Sequence, residues 1–100
     1  MDDLETLRGR IDTIDARLVE LLSERASCAL AIGRLKEAQG LRIYQPGREV
    51  TVLANVRKTN QGPLDDDAVA RLFERIIDEA RRLERVAAAG RQTGPDQSGR

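Results

Sequence analysis

The chain has no histidine and no tryptophan, a single cysteine and only two aromatic residues, Tyr44 and Phe73. Each scarcity removes a class of function. Without histidine, an imidazole-ligated metal site or a histidine-dependent triad lacks its ligand or its base. One cysteine forms no internal disulfide, so Cys28 reads as a small core residue and the expected setting is a reducing cytoplasm. Two aromatics give almost no surface on which bases could stack. Seventeen basic and seventeen acidic residues cancel, leaving no broad field for a polyanion. Nucleic-acid binding is therefore not expected. No stretch reaches the ~18 apolar residues of a membrane span, and the acidic start Met1-Asp2-Asp3-Leu4-Glu5 lacks the basic-then-apolar pattern of a secretory signal.

Proline is scarce as well, and none falls between Asp3 and Gln39. Over that span an apolar seam runs through Leu4, Leu7, Ile11, Ile14, Leu18, Leu21, Arg25, Cys28, Ile32 and Leu35 in steps of three and four. That is the a/d repeat of a helix packed against other helices. A helix of this length measures ~54 Å. A compact 100-residue monomer has a radius of gyration of only ~13 Å. The helix would overshoot its own globule, so a partner chain is expected.

Gly40 is a plausible stop for this first helix, and Pro46 suits the first turn of a second over about 46–60, with Glu49, Val52, Leu53 and Val56 on one face. Asn60-Gln61-Gly62-Pro63 breaks the chain. A third helix opens near Leu64 and Asp65-Asp66-Asp67, where acidic residues cap amides and favour the positive dipole end. Its stripe is Val69, Leu72, Phe73, Ile76, Ile77, Ala80, Leu83 and Ala87. The expected fold is all-α: three helices with a very long first one, in an intertwined homodimer. Residues 1–89 form the domain, and 90–100, with Gly94-Pro95, read as a flexible tail. Gly9 and Gly33 weaken the first helix by roughly 1 kcal/mol each; Gly33 is either a point of close backbone approach or a tolerated glycine.

Most charges in such a chain form solvated faces. A few occupy positions where apolar residues belong. Arg25 interrupts the seam, Glu84 continues the third stripe after Phe73, Ile77 and Ala80, and Glu49 leads the second; Lys36 and Arg8 adjoin the two ends of the seam. A buried Arg needs an anionic partner, either a side chain or a bound anion. Arg8, Arg25, Lys36 and Arg48 together suit a ligand with two carboxylates, which Arg forks bind bidentately. Arg25 and Lys36 are ~16 Å apart along the helix and their side chains can converge, whereas Arg8 lies ~25 Å before Arg25. If Arg8 contributes, it enters the site of the other subunit.

The ordered set Leu7-Arg8-Gly9-Arg10-Ile11-Asp12-Thr13-Ile14-Asp15, Leu21-Leu22-Ser23-Glu24-Arg25, Ile32-Gly33-Arg34-Leu35-Lys36, Arg48-Glu49 and Arg71-Leu72-Phe73-Glu74-Arg75-Ile76-Ile77 resembles the all-helical class of chorismate mutase over roughly residues 3–88. The resemblance implies a homodimer that converts chorismate to prephenate by an intramolecular Claisen rearrangement, without cofactor, metal or covalent intermediate. It implies that Arg25, with Arg8 of the partner subunit, holds the two carboxylates. Lys36 contacts a carboxylate and the ether oxygen, Glu49 accepts the substrate hydroxyl, and Arg48 lines the pocket. Three positions depart from the best-known bacterial pattern: Gln45 stands for an Asp near the ring hydroxyl, Ala80 for a Ser, and Glu84 for a Gln. Glu84 must be protonated to donate to the ether oxygen; burial raises a carboxyl pKa and Lys36 lowers it, so the sequence leaves that balance open.

The same pocket chemistry suits a lyase acting on isochorismate or a mutase acting on amino-deoxychorismate. A helical dimerisation module with internally paired charges is the non-enzymatic alternative. The resemblance also implies a possible activating partner, another shikimate-pathway enzyme.

Overall fold

A computed structural model describes residues 3–42 and 45–98, with side chains described as far as residue 90. The start at Met1-Asp2, the connector residues Ile43 and Tyr44, and the last two residues of the expected tail lie outside the described residues. Three helices make up the fold: α1 (Leu4–Ala38), α2 (Pro46–Thr59) and α3 (Asp66–Ser98).

Local chemistry sets the helix ends. The Asp3 carboxylate accepts the Thr6 N–H at 2.8 Å, capping α1, and that bond holds its pKa below the ordinary value. At the other end Gly40 adopts φ +72°, the left-handed conformation in which a side chain is strained. The Gly40 N–H then bonds Glu37 O at 3.1 Å and the Leu41 N–H bonds Lys36 O at 2.7 Å, closing the last turn around Lys36. Pro46 opens α2 at its first position, where a missing N–H costs nothing. Between α2 and α3, the Asn60 side-chain amide donates to Leu64 O (2.7 Å) and Asp66 Oδ1 (2.9 Å), and Arg57 pairs with Asp67 at 2.7 Å. Asp65 caps α3 by accepting the Ala68 N–H at 2.7 Å. These bonds fix the corner at which α2 turns back along α3.

α3 packs against both α1 and α2 and joins them. The frame is open: it extends 63 × 33 × 16 Å with a radius of gyration of 18.0 Å, against ~13 Å for a compact chain of this length. Ala70 is the one buried apolar side chain among the described residues. Seam residues expected in a core are instead exposed in the single chain; Ile11, Ile14, Leu18 and Leu21 each leave about half their surface open.

Two expectations are corrected. Leu72, assigned to the apolar stripe of α3, is exposed in the single chain. Cys28, assigned to the core, is exposed and lines a cleft. The backbone of α3 is helical as far as Ser98, across residues 90–98.

Candidate active site

The second half of α1, the start of α2 and the middle of α3 surround a cleft of about 400 Å³. Arg25 and Lys36 enter it from α1, and Gln45, Arg48 and Glu49 from the start of α2. Ala80 and Glu84 enter from α3. Seven of the eight residues singled out in the sequence thus meet around one space, drawn from three helices. Helical spacing explains the α1 pair: eleven residues are about three turns, so both side chains leave the same face. The α3 pair, at i and i+4, likewise shares a face.

Glu84 is the buried acid of the site, with 9% of its surface exposed. Its Oε2 has no hydrogen-bond partner within the chain. Burial pushes its pKa above the ordinary 4.5, while Lys36 and then Arg81 oppose the rise through their positive charge. Desolvation wins. The carboxyl rests on the backbone of α1 at Gly33, where a Cβ would lie 3.4 Å from Glu84 Cγ and 3.7 Å from Oε2. Gly33 is therefore a point of close approach between α1 and α3, at a distance where a methyl would just touch the acid.

Glu49 does not stand alone. Arg81 of α3 donates from Nη2 to Glu49 Oε2, and both side chains are largely shielded, 24% and 29% exposed. Arg81 also lies 3.8 Å from Asp78, one turn earlier on α3. The sequence analysis passed over Arg81. Its signal was present, since Arg81 stands four residues after Ile77 and adjacent to Ala80, but the pairing depends on how α2 crosses α3.

Arg8 is remote from this cleft. It is exposed on the first half of α1 and pairs with Glu5 at 3.5 Å. A second hollow of about 480 Å³ between α1 and α3 carries apolar walls from Val19, Leu22, Ile76 and Leu83. Arg25 and Ala80 border both spaces. Among the described residues no group of His, Cys, Asp and Glu side chains is placed to hold a metal ion, and no helix is long and apolar enough to cross a membrane.

The arrangement defines a class: an all-helical unit with a strongly cationic cleft closed at its base by a buried acid. The chain belongs to the chorismate mutase type II family, whose sequence profile matches residues 7–85. It is 44% identical over 88 residues to the bifunctional chorismate mutase/prephenate dehydratase of Pseudomonas aeruginosa, covering 83% of this chain and 24% of that protein. It is 27% identical over 86 residues to the chorismate mutase of Methanocaldococcus jannaschii, covering 85% and 87%. The solved structure of chorismate mutase (form II) from Thermus thermophilus superposes with a TM-score of 0.82 at 34% identity, covering 84% of this chain and 96% of that one. The chain spans about a quarter of the length of the bifunctional relatives it matches.

Proposed function

We propose that the chain catalyses the rearrangement of chorismate to prephenate. The observation that carries this reading is the cleft itself: four cations (Arg25, Lys36, Arg48, Arg81) and two carboxyl groups of different character line one space. Glu84 is driven toward its neutral form by burial, and Glu49 is offset by Arg81. Arg25, Lys36 and Arg48 then face the ligand as net positive charge, which fits a small dianion better than a neutral or cationic one.

The rearrangement breaks one C–O bond and forms one C–C bond within the same molecule, so nothing leaves and no proton is consumed. It needs the substrate folded into a reactive shape and negative charge stabilised on the departing ether oxygen. Arg25 holds one carboxylate, and Arg8 of the partner subunit the other. Lys36 bridges a carboxylate and the ether oxygen. Protonated Glu84 donates to that same oxygen from the opposite helix. Glu49 accepts the ring hydroxyl, with Gln45 and Arg48 beside it, and Ala80 makes no polar contact. One donor to such an oxygen is worth about 10²- to 10³-fold in rate.

The exposed seam supports the homodimer. Burying one leucine or isoleucine contributes about 1.5–3 kcal/mol, and this chain leaves a row of them uncovered. Pairing two copies along α1 covers the row and brings each Arg8 toward the other chain's cleft. The proposed setting is the cytoplasm, in phenylalanine and tyrosine formation. The bifunctional relatives, in which a mutase is joined to a second enzyme, support an activating shikimate-pathway enzyme as a partner.

The test is incubation of the purified protein with chorismate, following its loss and identifying the product. Saturable formation of prephenate is expected. Inert chorismate, or pyruvate released from isochorismate instead, contradicts the reading.

A further inference from the structure

The pairing of Glu49 with Arg81 does more than close the corner between α2 and α3. Glu49 is one of only two carboxyl side chains lining the cleft, and the other, Glu84, is buried at its base. A bare carboxylate at Glu49 would accept a hydroxyl or attract an ammonium, and the ammonium more strongly because opposite charges add to the hydrogen bond. With Arg81 on its Oε2, the pair carries no net charge. Besides Glu84 at the base, the charged groups around it, Arg25 and Lys36 from α1 and Arg48 from α2, are cations. Asp78 touches Arg81 at 3.8 Å but is not among the residues lining the cleft.

We propose that Arg81 is a positioning and specificity-determining residue: it holds the Glu49 carboxylate from α3 and cancels its charge, so that the cleft takes a neutral hydroxyl at Glu49 and rejects an ammonium there. This rests on the proposed mutase reading and deepens it, by naming the substituent the site selects and the residue that selects it. One oxygen of Glu49 is engaged by Arg81 and the other is left to receive the substrate's donor. Arg81 acts through Glu49 and need not touch the substrate. An added ammonium would meet a neutral pair with three cations, Arg25, Lys36 and Arg48, on the same cleft, and unfavourable placement of like charges costs enough to discriminate at least about tenfold.

The experiment compares kcat/KM for chorismate and for 4-amino-4-deoxychorismate, in which an amine replaces the ring hydroxyl, across the wild type, Arg81→Met, Arg81→Lys and Glu49→Gln. The wild type should prefer the hydroxyl substrate. Arg81→Met should move the ratio toward the amine by about tenfold, because it leaves the Glu49 charge uncancelled. Glu49→Gln should move it the opposite way, because it removes the carboxylate charge beside Arg81. Arg81→Lys, which keeps the charge, should stay near the wild-type ratio. A merely structural tie between α2 and α3 would lower both substrates together and give no opposed shifts. If Arg81→Met does not retain its helical circular dichroism, Arg81→Gln takes its place: a ratio that stays at the wild-type value, or moves away from the amine, overturns the proposal. A wild type inert toward chorismate overturns the mutase reading instead. Wild-type turnover with unchanged ratios in the variants overturns only the role of Arg81.

Discussion

The two halves of α1 follow one apolar repeat and meet different surroundings. From Arg25 to Lys36 one face of the helix is shielded: Arg25, Ala26, Ala29, Leu30 and Lys36 are half-buried and Gly33 is buried beneath Glu84, while Cys28, Ile32 and Leu35 stay exposed. From Leu4 to Glu24 every residue is exposed in the single chain. Charge follows the same division. Arg25 and Lys36 line a cleft completed by α2 and α3, while Arg8 lies away from it and pairs with its neighbour Glu5. A repeat of apolar residues marks a face that must be covered; it does not say whether the cover comes from the same chain. The second half builds a cleft, and in the proposed homodimer the open half presents Arg8 to another copy.

The comparison breaks most sharply at Arg25. Arg25→Ala should leave a folded helical dimer, by circular dichroism and sedimentation, and lower kcat/KM by about 10³-fold or more, through loss of a bidentate carboxylate contact. A variant that merely loses stability, with activity in proportion to its folded fraction, would return Arg25 to a structural role.

Glu84 gives the next largest effect, through pH. Its pKa is raised in the fold by burial, so the folded chain keeps a proton that the unfolded chain releases. Its own contribution to stability should therefore be fully present below the ordinary value of 4.5, fall as pH climbs from there to the raised pKa, and level off above it, a difference read against Glu84→Gln. Activity should decline over the upper part of the same interval as the donor is lost. Glu84→Gln should remain active and flatten both profiles; thermal midpoints and kcat measured across pH check this, and unchanged profiles would remove Glu84 as the proton donor.

Gly33 gives the smallest effect. A methyl there meets Glu84 Cγ at 3.4 Å, an ordinary contact, and alanine favours a helix interior by up to about 1 kcal/mol. Gly33→Ala should raise the thermal midpoint by a few degrees. A lowered midpoint would mean that the approach of α3 to α1 tolerates no methyl.

Much of this was legible in the sequence because it is local. Asp3, Gly40, Pro46 and Asp65 each determine a helix end through chemistry within a few residues, and the ends fall within two residues of expectation. The seven cleft residues were legible because each sits on, or next to, an apolar stripe. Arg81 was not, since its partner Glu49 is 32 positions away and only the Asn60 and Arg57–Asp67 corner brings α2 beside α3. Cys28 obeys the seam's spacing, yet it falls where the seam faces an empty cleft rather than another helix.

The central claim is that one α1 serves two sites, its own through Arg25 and Lys36 and its partner's through Arg8. Mixing tests it most directly. Arg8→Ala and Arg25→Ala chains, each nearly inactive alone, are unfolded together and refolded, and chorismate turnover is measured. If Arg8 acts across the dimer, each mixed dimer contains one site with both arginines intact, and random pairing should restore about a quarter of wild-type activity. If Arg8 acts within its own chain or not at all, the mixture should show only the average of the two variants, and that result would contradict the account.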